Sequence, residues 1–99
     1  MNITKVQIHI NAPDNNVKAF ADIIVDNEFI IKGLAIRLDR EEFAFVTMPY
    51  RTRNDGTRMD TAHPLNEPCR RYIEDKVLDA YEAELQRLYN KETNHAELV

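Results

Sequence analysis

The sequence predicts a small α+β domain, in which an antiparallel sheet of about five strands is followed by one long C-terminal α-helix. Three observations predict this fold class. Apolar residues alternate with polar ones near the N-terminus, short apolar runs follow between turn-forming residues, and the last third has apolar residues at spacings of three and four. A chain of 99 residues can build one modest core. We therefore assign residues 1–90 to a single domain.

Five segments have the composition of strands. Val6, Ile8 and Ile10 alternate with polar residues, and residues 11–16 then have the chemistry of a turn. Two longer apolar runs enclose the polar residues 26–28 and are expected to form a hairpin. The predicted strands cover residues 6–10, 17–26, 29–38, 43–48 and 57–61.

The residues from Pro64 to Pro68 indicate the start of the helix. Asn66 can accept backbone hydrogen bonds as the N-cap, and Pro68 lies in the first turn, where its missing N–H costs little. The apolar stripe that follows predicts a helix that ends near Tyr89. Residues 91–99 are polar without helical periodicity, so we expect this tail to fray.

Both faces of the predicted sheet are apolar. Strict alternation along the third strand puts Phe29, Ile31 and Ala35 on one face. It puts four others on the opposite face, namely Ile30, Leu34, Ile36 and Leu38. One amphipathic helix covers only one face of a sheet, and monomers rarely expose a large apolar patch. We therefore predict a homodimer in which a second copy covers the other face.

Composition and charge limit the possible functions. No apolar run is long enough to span a membrane and the N-terminus lacks a secretory signal, so we expect a cytoplasmic protein without a membrane partner. The single Cys69 cannot form an internal disulfide, and the three histidines are dispersed, so we expect no metal site. The net charge is −4, yet residues 50–71 carry five arginines and three acidic residues. Positive charge is therefore concentrated in the middle of the chain.

An enzyme is disfavoured. His63 lies near Asp60 in the sequence and Cys69 follows six positions later, which are residue types that acid/base or nucleophilic chemistry uses. The sequence has no serine motif, no second carboxylate near His63 and no glycine turn of the oxyanion type. We favour a histidine that orders a turn, and we predict no catalytic residue.

Four blocks of residues resemble a known family. They are Asp26-Asn27-Glu28-Phe29-Ile30-Ile31, Phe45-Val46-Thr47-Met48-Pro49, Asp55-Gly56 and Asp60-Thr61-Ala62-His63-Pro64-Leu65-Asn66. In this order and spacing they resemble the stage V sporulation protein G family, the bacterial septation regulators, over residues 3–82. The resemblance implies an antiparallel sheet with a C-terminal helix, a homodimer, no cofactor, and DNA or RNA binding that affects cell division, sporulation or other transcriptional regulation.

The resemblance also implies where nucleic acid would bind. Family members use basic residues after the Met-Pro pair and near the helix start, which here are Arg51, Arg53, Arg58, Arg70 and Arg71. Two positions depart from the usual family pattern, because the second basic residue after Met-Pro is displaced by one and Met59 stands where the family has an arginine. A displacement by one residue turns a strand side chain to the other face, so the carry-over is strongest at Arg51 and weakest at Arg58.

Alternatives remain open for these residues. Tyr50 could stack on a base or simply pack. Arg70 and Arg71 in the first helical turn could hold a phosphate, or they could pair with acidic residues three or four positions away, which are Glu67, Glu74 and Asp75. The sequence contains no motif for base-specific readout, so contacts with the nucleic-acid backbone are expected. The alternative function is a dimeric module that docks on division proteins through an acidic helix face, formed by Glu74, Asp75, Asp79 and Glu82.

Overall fold

The fold was analysed in a computed structural model, which describes residues 1–14 and 16–98, with the backbone alone for residues 11–14 and 91–98. Within these residues it contains six strands and one helix. The elements are β1 (Ile3–Asp14), β2 (Val17–Val25), β3 (Phe29–Leu38), β4 (Ala44–Thr47), β5 (Tyr50–Thr52), β6 (Arg58–Asp60) and α1 (Glu67–Leu98). The predicted α+β class, with an antiparallel sheet followed by a long C-terminal helix, is confirmed.

The strands form two separate sheets. The first four make an antiparallel sheet in the order β1-β2-β3-β4, and β5 and β6 make a small hairpin. The sequence did not predict β5, because Pro49 ends the preceding strand and the three residues of β5 show no clear alternation. They become a strand by pairing with β6, with Tyr50 opposite Asp60 and Thr52 opposite Arg58. The hairpin stays close to the end of β4 because Thr61 donates its N–H to the carbonyl of Pro49 at 2.8 Å.

The first strand is longer than predicted. Residues 11–14 belong to β1 and not to a turn, and Asp14 is paired with Val17 of β2. The register shifts between Ile10 and Asp14, so an irregularity in the ladder lets the strand continue through residues that favour turns. The predicted turn residue Asn15 lies outside the described residues. The other hairpin turn was predicted correctly.

That turn joins β2 to β3 through two residues with positive φ. Asp26 has φ 53° and Asn27 has φ 56°, and the N–H of Glu28 donates to the carbonyl of Val25 at 2.9 Å. Aspartate and asparagine tolerate this backbone region better than most residues, and positive φ at both central positions matches the twist of a hairpin. The Asp-Asn pair therefore sets the register of β2 against β3.

A bulge at Gly33 changes which side chains of β3 face the helix. Leu34 is paired with Ala21 and Ile31 with Ile23, so that β3 has one residue more than β2 between these pairs. Gly33 has φ +86°, which glycine adopts readily. As a result Phe29 and Ile31 lie on the same face as Leu34, and Ile30 lies on the same face as Ala35. The faces that strict alternation predicted for residues 29–31 were therefore wrong.

Helix α1 covers one face of the four-stranded sheet. Its side chains Ile73 and Val77 are buried in the core, with relative exposures of 5% and 0%. The sheet contributes the other buried residues of this cluster, namely Ile3, Ala19, Ala21, Ile23, Leu34, Ile36, Val46 and Met48. The N–H of Ile3 donates to the Tyr72 hydroxyl at 2.9 Å, which ties the first strand to the helix.

The two ends of α1 differ in how well the sequence predicted them. Asn66 is the N-cap, as predicted, because its Oδ1 accepts the N–H of Cys69 at 2.9 Å. The helix continues to Leu98, beyond the predicted end near Tyr89, because no proline or glycine interrupts residues 90–98. Fraying of the tail stays a prediction. Among the described residues no helix is both long enough and apolar enough to cross a membrane.

The face of the sheet opposite the helix stays open. It carries apolar side chains that are partly exposed, with relative exposures of 37% for Phe20, 40% for Ile30 and 38% for Phe45. Ala35 lies on the same face and is buried between its neighbours. The same face also carries the polar residues Gln7, His9 and Asp22, so the expectation that both faces are apolar is confirmed only in part. The homodimer inferred from it stays a prediction.

Candidate nucleic-acid interface

The β5–β6 hairpin holds Tyr50 and Arg58 together. Arg58 lies over the Tyr50 ring, and its Nε is 3.6 Å from the Oδ1 of Asp60. Both contacts are on one side of the hairpin, because paired residues of antiparallel strands share a face. The charge of Arg58 is therefore partly offset by a carboxylate.

The loop between β5 and β6 is tied by its own hydrogen bonds. The N–H of Arg53 donates to the carbonyl of Thr57 at 2.7 Å, and the N–H of Gly56 donates to the carbonyl of Arg53 at 2.9 Å. The Oδ1 of Asp55 accepts the N–H of Thr57 at 2.9 Å and its hydroxyl at 2.6 Å. These bonds from Thr57 hold the pKa of Asp55 below its ordinary value. The backbone at Arg53 is therefore fixed within an ordered turn.

Three of the five predicted arginines line one cleft of about 500 Å³, which we call the arginine cleft. Its lining residues are Arg53, Arg58, Met59, Asp60, His63 and Arg70. Arg53 comes from the loop and Arg70 from the first turn of α1, so the fold joins residues that are distant in sequence. Within the described part of the chain, Arg53 and Arg70 form no ion pair. The alternative in which Arg70 pairs with a nearby acidic residue is thus absent from this structure.

The other two arginines lie elsewhere. Arg71 lines a shallow depression beside Glu67, Tyr72 and Asp75, although none of the ion pairs in the described residues includes it. Arg51 lines a separate groove along β5. The predicted set is therefore divided among three neighbouring surfaces and does not form a single patch.

The groove that contains Arg51 lies between the open face of the sheet and β5, and we call it the aromatic groove. It has a volume of about 560 Å³ and is lined by Asn16, Val17, Phe20, Gly33, Ala35, Arg37, Tyr50, Arg51 and Thr52. Sequence reasoning missed Phe20 and Arg37. The signal for Arg37 was present, because it lies two residues after Ala35 in an otherwise apolar strand and so shares the open face.

The residues considered for catalysis do not form a hydrogen-bonded pair in the described structure. His63 and Asp60 both line the arginine cleft, and no hydrogen bond among the described residues joins them. Cys69 lies near His63 in a separate, small apolar cavity under the start of α1. Among residues 1–10 and 16–90, whose side chains are described, no three potential ligand side chains approach closely enough to hold a metal ion. The absence of an enzymatic activity stays a prediction.

Comparison with known proteins decides the family. The SpoVG family model matches residues 1–83, which is most of the chain. The chain belongs to the SpoVG family. The family resemblance found in the sequence is therefore confirmed.

Relatives of the chain come from distant organisms. One from Archaeoglobus fulgidus is 40% identical over 80 residues, which cover 81% of this chain and 93% of that protein. A Listeria innocua relative is 36% identical over 99 residues, covering 100% of this chain and 96% of its own length. A third, from Bdellovibrio bacteriovorus, is 36% identical over 88 residues, covering 89% and 80%. All three carry the name "Putative septation protein SpoVG", with the suffix 1 for the Listeria protein.

Proposed function

We propose that this SpoVG-family protein is a dimeric regulator that binds DNA or RNA and acts in septation, development or other gene expression. The name that its relatives carry supports the septation role. One structural observation supports nucleic-acid binding above all. Arg53, Arg58 and Arg70 line a single cleft, and two of these three guanidinium groups have no carboxylate partner among the described residues.

A phosphate group fits the chemistry of the arginine cleft. Guanidinium groups bind phosphate oxygens through two parallel hydrogen bonds. Arg70 lies in the first turn of α1, where the helix dipole disfavours a cation and favours an anion. A phosphate near Arg70 would therefore be stabilised by the helix and would also offset the unfavourable position of the arginine. Contacts of this kind position a protein on nucleic acid without reading its sequence.

The dimer is proposed from the open face of the sheet. Ile24 and Ile30 are paired on that face near the turn between β2 and β3, at the end away from the aromatic groove. Ile30 is 40% exposed, and Ile24 beside it is partly buried. A second copy that covers this end would remove apolar surface from water. It would also double the number of arginines available to one nucleic acid.

Fluorescence anisotropy with labelled duplex DNA and with labelled RNA, each at two salt concentrations, tests nucleic-acid binding. The double variant Arg53→Ala, Arg70→Ala should bind both more weakly than the wild type. The slope of log K against log salt concentration should also be less steep by roughly 2, because each lost phosphate contact reduces the slope by about one. The control is Arg87→Ala, which removes one arginine of α1 roughly 25 Å from Arg70 along the helix.

Two results would contradict nucleic-acid binding at this cleft. One is that the wild type binds neither DNA nor RNA at low salt. The other is that the double variant binds as the wild type does, or that Arg87→Ala weakens binding as much as the cleft variant. Circular dichroism on each variant checks that a loss of binding is not a loss of fold.

A protein-interaction module is the second candidate. Asp75, Asp79 and Glu82 are exposed on α1, and the helix continues well past Tyr81, the last helix residue packed on the core. This extension leaves an acidic helix surface on which a basic partner could dock. Co-purification of a division protein tests this function. The function is favoured if the partner co-purifies equally with the wild type and with the Arg53→Ala, Arg70→Ala variant, but not with an Asp75→Asn, Asp79→Asn variant.

A further inference from the structure

We propose that the aromatic groove holds an unstacked base of a single-stranded nucleic acid, so that the protein prefers single strands to duplexes. The inference rests on the proposed function and adds to it the class of nucleic acid that is bound. It depends on four properties of the groove: its charge, the environment of Arg37, its exposed rings and its position beside the arginine cleft.

The groove is positively charged in an acidic protein. Among the described residues that line it, two are arginines, Arg37 and Arg51, and none is aspartate or glutamate. The chain as a whole has 17 acidic residues against 13 basic ones. The described lining of the groove therefore complements an anion, which it would bind more strongly than a neutral or cationic ligand.

Arg37 is a half-buried cation without an acidic partner in the described residues. Its Nε donates to the Thr47 hydroxyl at 3.4 Å, and that hydroxyl in turn lies 3.5 Å from the carbonyl of Ala35. A guanidinium has five N–H donors, so this bond leaves most of them for another acceptor. Partial burial of a charge is costly unless an opposite charge offsets it. A backbone phosphate would supply that charge and accept the remaining donors.

Two aromatic rings of the groove are accessible. Phe20 is 37% exposed and Tyr50 is 41% exposed, and the lining of the groove also includes the small residues Gly33 and Ala35. Exposed rings beside cations are the common means of binding single strands, because every base has a face that can stack on them. In a duplex that face is already stacked on neighbouring base pairs, so such a groove discriminates against duplexes.

The groove and the arginine cleft are adjacent. Tyr50 lines the groove, Arg58 lines the cleft, and the Arg58 Cζ lies 4.3 Å from the centroid of the Tyr50 ring. The stacked pair is therefore the boundary between the two sites. A single strand that crosses this boundary can leave a base in the groove while the next phosphates lie in the cleft.

The test uses fluorescence anisotropy with labelled oligodeoxythymidine, oligouridine and a duplex of the same length. The wild type should bind the single strands more tightly than the duplex. Phe20→Ala should weaken single-strand binding by between about 5-fold and about 150-fold, the range found when one stacking ring is removed, and should leave duplex binding unchanged. Phe29→Ala is the matched control, because Phe29 is also an exposed phenylalanine of the sheet but does not line the groove and lies on the face opposite Phe20.

A second pair of variants separates stacking from folding. Phe20→Tyr keeps a ring and should bind as the wild type does, whereas Phe20→Leu keeps the apolar volume and should lose affinity. The inference is overturned if the duplex binds as tightly as the single strands, or if Phe20→Leu and Phe20→Tyr bind equally. If those results appear while Arg53→Ala, Arg70→Ala still loses binding, only the single-strand inference fails. If the arginine variant also binds normally, the proposed function fails.

Comparing the two single strands identifies the natural ligand more closely. Tighter binding of oligouridine points to RNA and tighter binding of oligodeoxythymidine points to single-stranded DNA, and either supports the inference.

Discussion

The guanidinium of Arg58 lies over the ring of Tyr50, with 4.3 Å between its Cζ and the ring centroid. This contact joins β5 to β6 and covers one face of the Tyr50 ring. A cation over an aromatic ring at an exposed site contributes about 0.5–1 kcal/mol. Tyr50 therefore packs within its hairpin and is nevertheless 41% exposed, so both interpretations of this residue are compatible with the structure.

Replacement of the ring at position 50 should loosen the hairpin. Tyr50→Leu removes the interaction with Arg58 and should lower the free energy of unfolding by about 0.5–1 kcal/mol, whereas Tyr50→Phe keeps a ring and should cost less. Urea denaturation followed by circular dichroism measures the difference. Tyr89→Leu provides a control at a tyrosine that is 66% exposed on α1. An equal effect of Leu and Phe at position 50 would show that the ring contributes no cation–π energy.

Asn66 should stabilise the start of α1 through its side chain. Its Oδ1 accepts the N–H of Cys69 at 2.9 Å, so Asn66→Ala leaves that N–H without this partner. The expected loss in the free energy of unfolding is about 1 kcal/mol, within a range of about 0.5–2 kcal/mol. Asn66→Asp keeps a cap acceptor and should be close to the wild type. Thermal denaturation of the two variants checks this, and a destabilised Asp variant would contradict the capping role.

The sequence predicted the elements that have a strong local signal. The alternating residues Val6, Ile8 and Ile10 became part of β1, and the two apolar runs became β2 and β3. The Asp26-Asn27 turn formed where residues tolerant of positive φ occur, and the cap at Asn66 followed from residue types alone. The bulge at Gly33 and the strand β5 could not be predicted in this way. Both arise from pairing with a neighbouring strand, and such non-local hydrogen bonds leave little trace in the local sequence.

The candidate site was predictable only in part, for the same reason. The family resemblance indicated the arginines, but it could not show that Arg53 and Arg70 share a cleft while Arg51 and Arg71 do not. That division depends on how the β5–β6 hairpin packs near the start of α1. Phe20 looked like an ordinary strand residue, since its neighbours in the groove come from other elements.

The bulge in β3 should require glycine at position 33. Gly33 has φ +86°, and an added Cβ would lie 3.7 Å from the Cβ of Pro49, which is an ordinary contact. Backbone strain alone should therefore make Gly33→Ala less stable, by about 1–2 kcal/mol. Gly56→Ala is the matched case, because Gly56 has φ +88° and open space around its Cα. Chemical denaturation should give a similar decrease in the free energy of unfolding for both variants. A much larger decrease for Gly33→Ala than for Gly56→Ala would indicate a steric conflict at position 33.

Asp55 should make the stability of the loop before β6 depend on pH in the acidic range. Hydrogen bonds from Thr57 lower the pKa of Asp55 below its ordinary value of 3.8. A carboxyl whose pKa is depressed by folding stabilises the fold above its unfolded pKa, and this contribution is lost as the pH falls through the folded pKa. Thr57→Val removes the hydroxyl donor and should raise the pKa of Asp55 toward 3.8. An NMR titration measures it, with Thr52→Val as the control, and an unchanged pKa would contradict the assigned cause.

A charge on the open face near the β2–β3 turn should separate the proposed dimer. Ile30 is 40% exposed and is paired with Ile24, so Ile30→Asp places a carboxylate where two copies would meet without adding a charge to the core. A carboxylate without a partner at an interface loses hydration and opposes association. Light scattering should therefore give twice the chain mass for the wild type and the mass of one chain for the variant. Leu65→Asp, at a residue 90% exposed and away from this face, should leave the dimer intact. A wild-type protein that is monomeric at micromolar concentration would contradict the dimer, and a variant that stays dimeric would move the interface to another surface.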